Sequence, residues 1–221
     1  MKSFDIAIIG GGLSGSSTAL NLSRKGYSVI IIEKKSNKNL IPCAGGMASS
    51  MKEFLPLDIG TALETEVKSV HFTWKFSDKV IAELTGASPF WIIRREKLDE
   101  LLLESAINYG TQISRLTTVE VLKKENDYWH LSCSNQKIYK SKFLVIADGS
   151  QSQWAKFLKL GPSNPKFAKT IAIRLKGLGH LERNSVRFDF GSIKYGFTWA
   201  FPLKDHTNLG IGSFIRDFNN I

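Results

Sequence analysis

The stretch Ile8–Leu20, IIGGGLSGSSTAL, decides how the rest of the chain is read. Asp5 to Ile9 is a short apolar run that Gly10 breaks, and from Gly15 to Lys25 the residues Ala19, Leu20 and Leu22 recur at helical spacing. Strand, tight turn and helix follow from that pattern. Gly26 stands where a helix-ending glycine belongs, and Tyr27–Glu33, YSVIIIE, is a β-branched run suited to a strand buried on both faces. The opening therefore reads as a βαβ unit of about 30 residues.

Within that unit Gly10, Gly12 and Gly15 spell GxGxxG after a strand and before a helix, the context that separates a dinucleotide turn from a chance glycine-rich loop. The first glycine permits the turn, the second lets backbone approach a pyrophosphate, and the third lets helix and strand pack closely. Backbone N–H groups at the helix start then face the phosphates. Glu33 ends the second strand 18 positions beyond Gly15, where an acid accepts from ribose hydroxyls. Gly10, Gly12, Ser14, Gly15, Glu33 and Lys34 are the candidate contacts from this region.

Composition bounds the alternatives. The 221 residues are 43% hydrophobic and 23% charged, which is ordinary for a globular chain and excludes a disordered one. The apolar N-terminus runs straight into glycines with no small-residue cleavage site, so it reads as a first strand and a cytoplasmic location is expected. Cys43 and Cys133 lie 90 positions apart without CxxC spacing, which supports neither a disulfide framework nor a metal site. Thirty basic against 20 acidic residues leave +10, a field that attracts anionic ligands or membrane surfaces. Those charges are scattered among acids rather than blocked, so no nucleic-acid partner is expected.

Past the βαβ unit the pattern changes. Residues 40–55 read as a glycine loop leading into a helix, and 66–76 and 79–85 as paired strands. Leu98, Leu101, Leu102 and Ala106 give a helix ended by Gly110. Strand-like runs follow at 116–123, 128–133 and 138–147, and an aromatic-rich antiparallel group at 169–176, 184–190, 195–201 and 207–213. The expected fold is α/β, a Rossmann-like nucleotide-binding domain (1–65 and 94–160) interleaved with an antiparallel sheet domain (66–93 and 161–221). A nicotinamide dehydrogenase would continue in regular βα repeats, which these strands interrupt.

The segment FLVIADGSQSQW, Phe143–Trp154, resembles the second signature of the aromatic-hydroxylase-like FAD flavoproteins, a strand ending in Ala-Asp-Gly. Asp148 and Gly149 match its core, while Trp154 and Ala155 stand where that signature has Val-Arg. Three further stretches resemble the geranylgeranyl reductase family: PCAGGM at Pro42–Met47, the helix start RREKLDELLLESAINYG with Arg95, and YGFTWAFPLKDHTNLGIG at Tyr195–Gly212. The resemblance implies FAD as cofactor, with Ala44, Gly45, Gly46, Arg95, Asp148 and Gly149 among its contacts. It also implies NADPH or ferredoxin as electron donor, and a prenyl-lipid substrate along Tyr195, Phe197, Trp199, Phe201 and Pro202. Those four aromatics alternate and would share one face of a strand; packing of that sheet against a helix is the competing reading.

Cys43 is a candidate for redox or proton delivery, a packed thiol being the alternative. No proton donor is named by the sequence. An FAD monooxygenase or halogenase, and a non-catalytic nucleotide-binding remnant, are the alternatives to a prenyl reductase. The family's third signature, a Gly-Asp before a proline-containing helix, has no counterpart in these residues. The resemblance therefore implies a member shortened at its C-terminus, complemented by a partner chain or a further segment, with peripheral membrane contact expected of a lipid enzyme.

Overall fold

The computed structural model describes residues 1–36, 43–177 and 181–214; Pro42 of the expected glycine loop and the 215–221 tail lie outside the described residues. The chain opens with β1 (Lys2–Ile9), α1 (Leu13–Ser23) and β2 (Val29–Ile32). It continues with β3 (Gly46–Ala48), a 3₁₀ turn (Ser49–Phe54), β4 (Leu63–Glu66), β5 (Ser69–Trp74), β6 (Ser77–Glu83), β7 (Phe90–Ile93) and α2 (Arg95–Asn108). Then come β8 (Gln112–Ser114), β9 (Val119–Glu125), β10 (Tyr128–Cys133), β11 (Ile138–Ile146) and α3 (Gln153–Phe157). The last described strands are β12 (Lys169–Lys176), β13 (Ser185–Phe190), β14 (Gly196–Pro202) and β15 (His206–Ser213).

Two compact units result, 1–40 with 98–163 and 41–97 with 164–221. The first is built on a sheet in the order β8-β2-β1-β11-β10-β9. Its first four strands are parallel and β10 and β9 add an antiparallel edge. All four residues of β2 are buried, as its β-branched run requires, and Ala19 and Leu20 of α1 have no exposed surface. Pairing of β1 with both β2 and β11 brings two chain turns, after Ile9 and after Ile146, to the same end of the sheet.

The second unit holds a six-stranded sheet, β12-β15-β14-β13-β5-β6, and a three-stranded one, β3-β7-β4. Its four C-terminal strands match their expected positions to within one residue. The larger sheet is not wholly antiparallel, because β5 and β13 run parallel. Parallel neighbours need a long crossover, and here most of the first unit lies in sequence between them. The helix expected after Gly46 is instead β3 and a 3₁₀ turn, since residues 46–48 pair with β7. That same pairing, with β4 on the other side of β7, draws 41–65 and 94–97 into the second unit rather than the nucleotide-binding one.

Candidate functional site

Each glycine of the turn after β1 has a distinct surrounding. Gly10 has φ +103°, and a Cβ there would lie 2.2 Å from the Ala147 carbonyl oxygen, because the Ala147 N–H donates to the Ile9 carbonyl and ties the end of β11 alongside. At Gly15 a Cβ would lie 1.9 Å from the Gly10 carbonyl oxygen, so only glycine lets α1 start this close to the strand. Gly12 differs, since a Cβ there would meet nothing within 4 Å. It is the N-cap of α1, makes no side-chain capping bond, and has no acid in the first turn after it. An uncapped helix start with open space before it fits an anionic ligand such as a pyrophosphate.

Glu33 faces this turn. One carboxylate oxygen accepts from the Gly11 N–H at 2.5 Å and the other from the Lys35 N–H at 2.7 Å, which fixes the side chain and leaves lone pairs for hydroxyl donors. Ser14 and Lys34 are exposed. At the end of β11, Asp148 has a buried carboxylate oxygen that accepts no hydrogen bond among the described residues, a group suited to a ligand's donor. Gly149 turns the chain at φ +97°. Ser152 then caps α3 by accepting from the Ala155 N–H at 2.8 Å. Trp154 is buried in the core of this unit, so the first position of the pair remains apolar here.

In the second unit the Cys43–Gly46 loop is held against β7 and β15. Gly45, at φ +90°, sits with its Cβ position 2.3 Å from the Ile93 carbonyl oxygen, and its own carbonyl accepts from the Ile93 N–H. A Cβ on Gly46 would lie 2.7 Å from the ring of Phe90 and 3.2 Å from that of Phe201. Both glycines are thus required by this unit's own packing, and Ala44 packs against the same apolar cluster. Half-buried Cys43 receives a hydrogen bond on its sulfur from the Arg95 guanidinium at 3.3 Å, and its carbonyl accepts from the Asn208 amide at 2.6 Å. Cys133 is a core thiol that burial pushes up to about 11, far from reactive.

Of the two arginines expected at a helix start, only Arg95 lies within α2. Arg94 precedes the helix and binds Glu64 at 2.7 Å and Asp205 at 2.7 Å. The Glu64 carboxylate, largely buried, holds that guanidinium more firmly charged than usual. Asn208 was not anticipated. It is 3% exposed, its side-chain oxygen accepts nothing among the described residues, and its register opposite Phe201 puts it on the aromatic face. Its signal in the sequence was slight, the last of a polar run before the alternating Leu209 and Ile211.

That face carries three of the four expected aromatics. Phe197, Trp199 and Phe201 alternate along β14 and contact Phe188 or one another at centroid distances of 5.3–6.0 Å. Tyr195 precedes the strand at φ +53° and is exposed, so it does not join them. Pro202 ends the strand buried. Gly210 lies under the Trp199 indole, where a Cβ would fall 2.1 Å from the ring. Phe72, Trp74, Phe188 and Phe190 extend the same face across β5 and β13, as the alternation in VHFTW and VRFDF would have indicated.

A family model described as an FAD binding domain matches residues 3–174. The chain belongs to that FAD-binding family. Digeranylgeranylglycerophospholipid reductase of Methanocaldococcus jannaschii is 24% identical to this FAD-binding chain over 226 residues, covering 97% of it and 56% of the relative. Geranylgeranyl diphosphate reductase of Synechocystis sp. is 28% identical over 226 residues, covering 94% and 54%. A geranylgeranyl bacteriochlorophyll reductase-like protein from Thermoplasma acidophilum superposes with a TM-score of 0.84 at 22% identity, covering 98% of this chain and 59% of that one, which shows a shared fold. The FAD-binding chain spans about half the length of these curated relatives. No helix among the described residues is long and apolar enough to cross a membrane.

Proposed function

We propose that this FAD-binding chain is the core of an oxidoreductase that saturates carbon–carbon double bonds of a prenyl group. The observation that carries the reading is the aromatic face of β13 and β14, whose rings follow one another from Phe190 to Phe201, with the Trp199 indole seated over Gly210 of β15. A continuous row of tilted rings suits a long, thin apolar chain better than a compact polar substrate.

The open space at Gly12 and the unpartnered Asp148 oxygen fit FAD. Gly10, Gly12, Ser14 and Gly15 would offer backbone N–H groups to its pyrophosphate, Glu33 would accept from ribose hydroxyls, and Asp148 and Gly149 would take a further donor. Lys34 and the second unit's Ala44, Gly45, Gly46 and Arg95 are cofactor contacts on the family resemblance alone. Bound and reduced, FAD supplies hydride to one alkene carbon while a proton reaches the other. Phe197 and Trp199 would hold the isoprenoid chain extended and keep water from it, with Phe201, buried in the core of the unit, supporting them from behind. Arg95 keeps the Cys43 thiol in place by donating to its sulfur. NADPH or ferredoxin is the proposed reductant, a prenyl lipid the substrate, and the cytoplasm the location.

The test is visible absorbance of the purified chain after FAD loading and removal of excess, then turnover of a prenyl alcohol under dithionite. Retained flavin with alkene reduction is expected, and Trp199→Ala should keep the flavin while raising KM for the prenyl substrate. Oxygen-dependent conversion of a small aromatic instead would favour a monooxygenase or halogenase. A colourless protein would reduce the chain to a remnant or to one part of a larger flavoenzyme.

A further inference from the structure

At one end of the large sheet of the second unit, two turns stand side by side. The β5–β6 turn presents Trp74, Lys75 and Phe76, and the β13–β14 turn presents Lys194 and Tyr195. Phe76 is 69% exposed, Tyr195 71% and Trp74 54%, and Val80 on β6 is 62% exposed beside them. Such a concentration of large apolar side chains at turn tips is unusual, because tips are normally polar. Backbone geometry makes the arrangement more pointed. Lys75, Phe76 and Tyr195 all have left-handed φ angles of 51°, 62° and 53°, a conformation that Gly or Asn would adopt more cheaply.

The fold spends a buried carboxylate on holding these tips. Asp189, 1% exposed, accepts from the Phe76 N–H at 2.6 Å, from the Thr73 hydroxyl at 2.8 Å and from Ser192 in the other turn. Gly191 lets the Trp74 indole lie against the second turn, for a Cβ there would come within 2.7 Å of the ring. The Lys75 N–H also donates to the Phe190 carbonyl, closing the pair. Two loops that need only connect strands are instead fixed to one another with their aromatic residues outward.

Charge selects the occupant. Lys75 and Lys194 are interleaved with the rings, with Lys194 over the ring of Tyr195 at 5.5 Å, and the nearest exposed acid in sequence is Asp78 at the start of β6, in a chain of net +10. Lysines flanking exposed aromatic tips match an anionic lipid surface, where rings sit at the headgroup level and ammonium groups meet phosphates. From the tips an apolar track runs inward, Phe72 to Phe190 at 6.4 Å, Phe190 to Phe197 at 5.8 Å and Phe197 to Trp199 at 6.0 Å. We infer that the β5–β6 and β13–β14 tips dock on an anionic bilayer, and that the rings behind them draw an isoprenoid tail from it. The docking stands by itself; the use of the track rests on the prenyl-reductase reading.

Flotation of the whole chain with vesicles of phosphatidylglycerol and phosphatidylcholine in equal parts tests the docking without any substrate. Binding to these vesicles and not to pure phosphatidylcholine is expected. Lys75→Glu and Lys194→Glu should each weaken it about fivefold or more, and Phe76→Ser with Tyr195→Ser about tenfold, with thermal unfolding unchanged. Should a tip variant misfold, Trp74→Phe serves instead, since it should remove the fluorescence component quenched by bromolipid while binding persists. Wild-type protein that stays in the aqueous fraction, or variants that bind equally well, would overturn the inference. So would a dimer dissociated by the same substitutions, which would make the tips a self-association surface. Turnover of a soluble short prenyl alcohol by a variant that no longer floats would keep the reductase reading apart from the docking one.

Discussion

Two glycine turns, one at Gly10–Gly15 and one at Gly45–Gly46, look alike in the sequence and differ in what surrounds them. In the first, Gly10 and Gly15 are demanded by protein backbone, Gly11 is closed in by the Glu33 carboxylate, and Gly12 faces nothing within 4 Å. In the second, both glycines are filled against, Gly45 by the Ile93 carbonyl and Gly46 by the rings of Phe90 and Phe201. Glycine thus has two separable uses here, to let the chain approach itself and to leave room for something else. Only space that the protein does not fill speaks for a ligand, and by that measure the first turn is the stronger cofactor site.

Substitutions can break this contrast at either end. Gly15→Val is expected to have the largest effect, because a Cβ 1.9 Å from the Gly10 carbonyl would push α1 off β1. A loss of about 3 kcal/mol or more is expected, read by urea unfolding; a stable variant would mean that the strand and helix are less closely joined. Gly45→Ala comes next. It combines φ +90° with a backbone contact at 2.3 Å and should cost about 2 kcal/mol, with the loss visible in the same assay whether or not flavin is present.

Gly12→Val sharpens the comparison from the other side. Its side chain would enter open space, so stability should fall by about 1 kcal/mol or less, the usual cost of a poorer N-cap. Flavin absorbance should nevertheless disappear from the purified protein, since the added side chain would stand where a pyrophosphate must approach. Stability retained and flavin lost is the expected pair of results. Flavin retained would remove the pyrophosphate from this turn.

What could be read from the sequence divides along the same line. β1, α1 and β2 follow from contiguous signals, a β-branched run, helical spacing and punctuating glycines, and so do the four C-terminal strands with their alternation. β3, β4, β7 and β8 are three or four residues long, and β3 and β7 exist through pairing with each other more than 40 positions apart. The parallel match of β5 with β13 spans over a hundred residues and leaves no local trace. In the site, the roles of Gly10 and Gly15 were legible because they concern neighbours in the chain. Asn208 and the packing of Gly46 depend on strands brought together by the fold. Tyr195 misled because alternation was extended one step past the strand into a left-handed turn.

The smallest expected effect concerns acid, and it again sets the two units against each other. Asp5 in the first unit is lowered from the ordinary 3.8 to about 2, chiefly by the hydrogen bond from the Ser28 hydroxyl, with the Ser28 N–H and Lys142 adding to it. A depressed carboxyl contributes stability that is present above its unfolded value and lost as pH falls through the folded one. For Asp5 that window runs from pH 3.8 down to about 2, and because the group is exposed to solvent the contribution is small. Burial alone would raise Asp189 in the second unit, yet its bonds from Ser192, the Phe76 N–H and Thr73, together with the Arg187 charge, outweigh burial and lower it. Its carboxylate is held below the ordinary carboxylate range, and protonation would weaken the bonds it accepts from these donors. Asp5→Asn should therefore barely change the acid limb of the unfolding curve, whereas Asp189→Asn should flatten it and lower stability at neutral pH. Equal responses would mean that the clamp beneath the aromatic tips holds them no more firmly than a solvent-exposed pair holds β1 to β2.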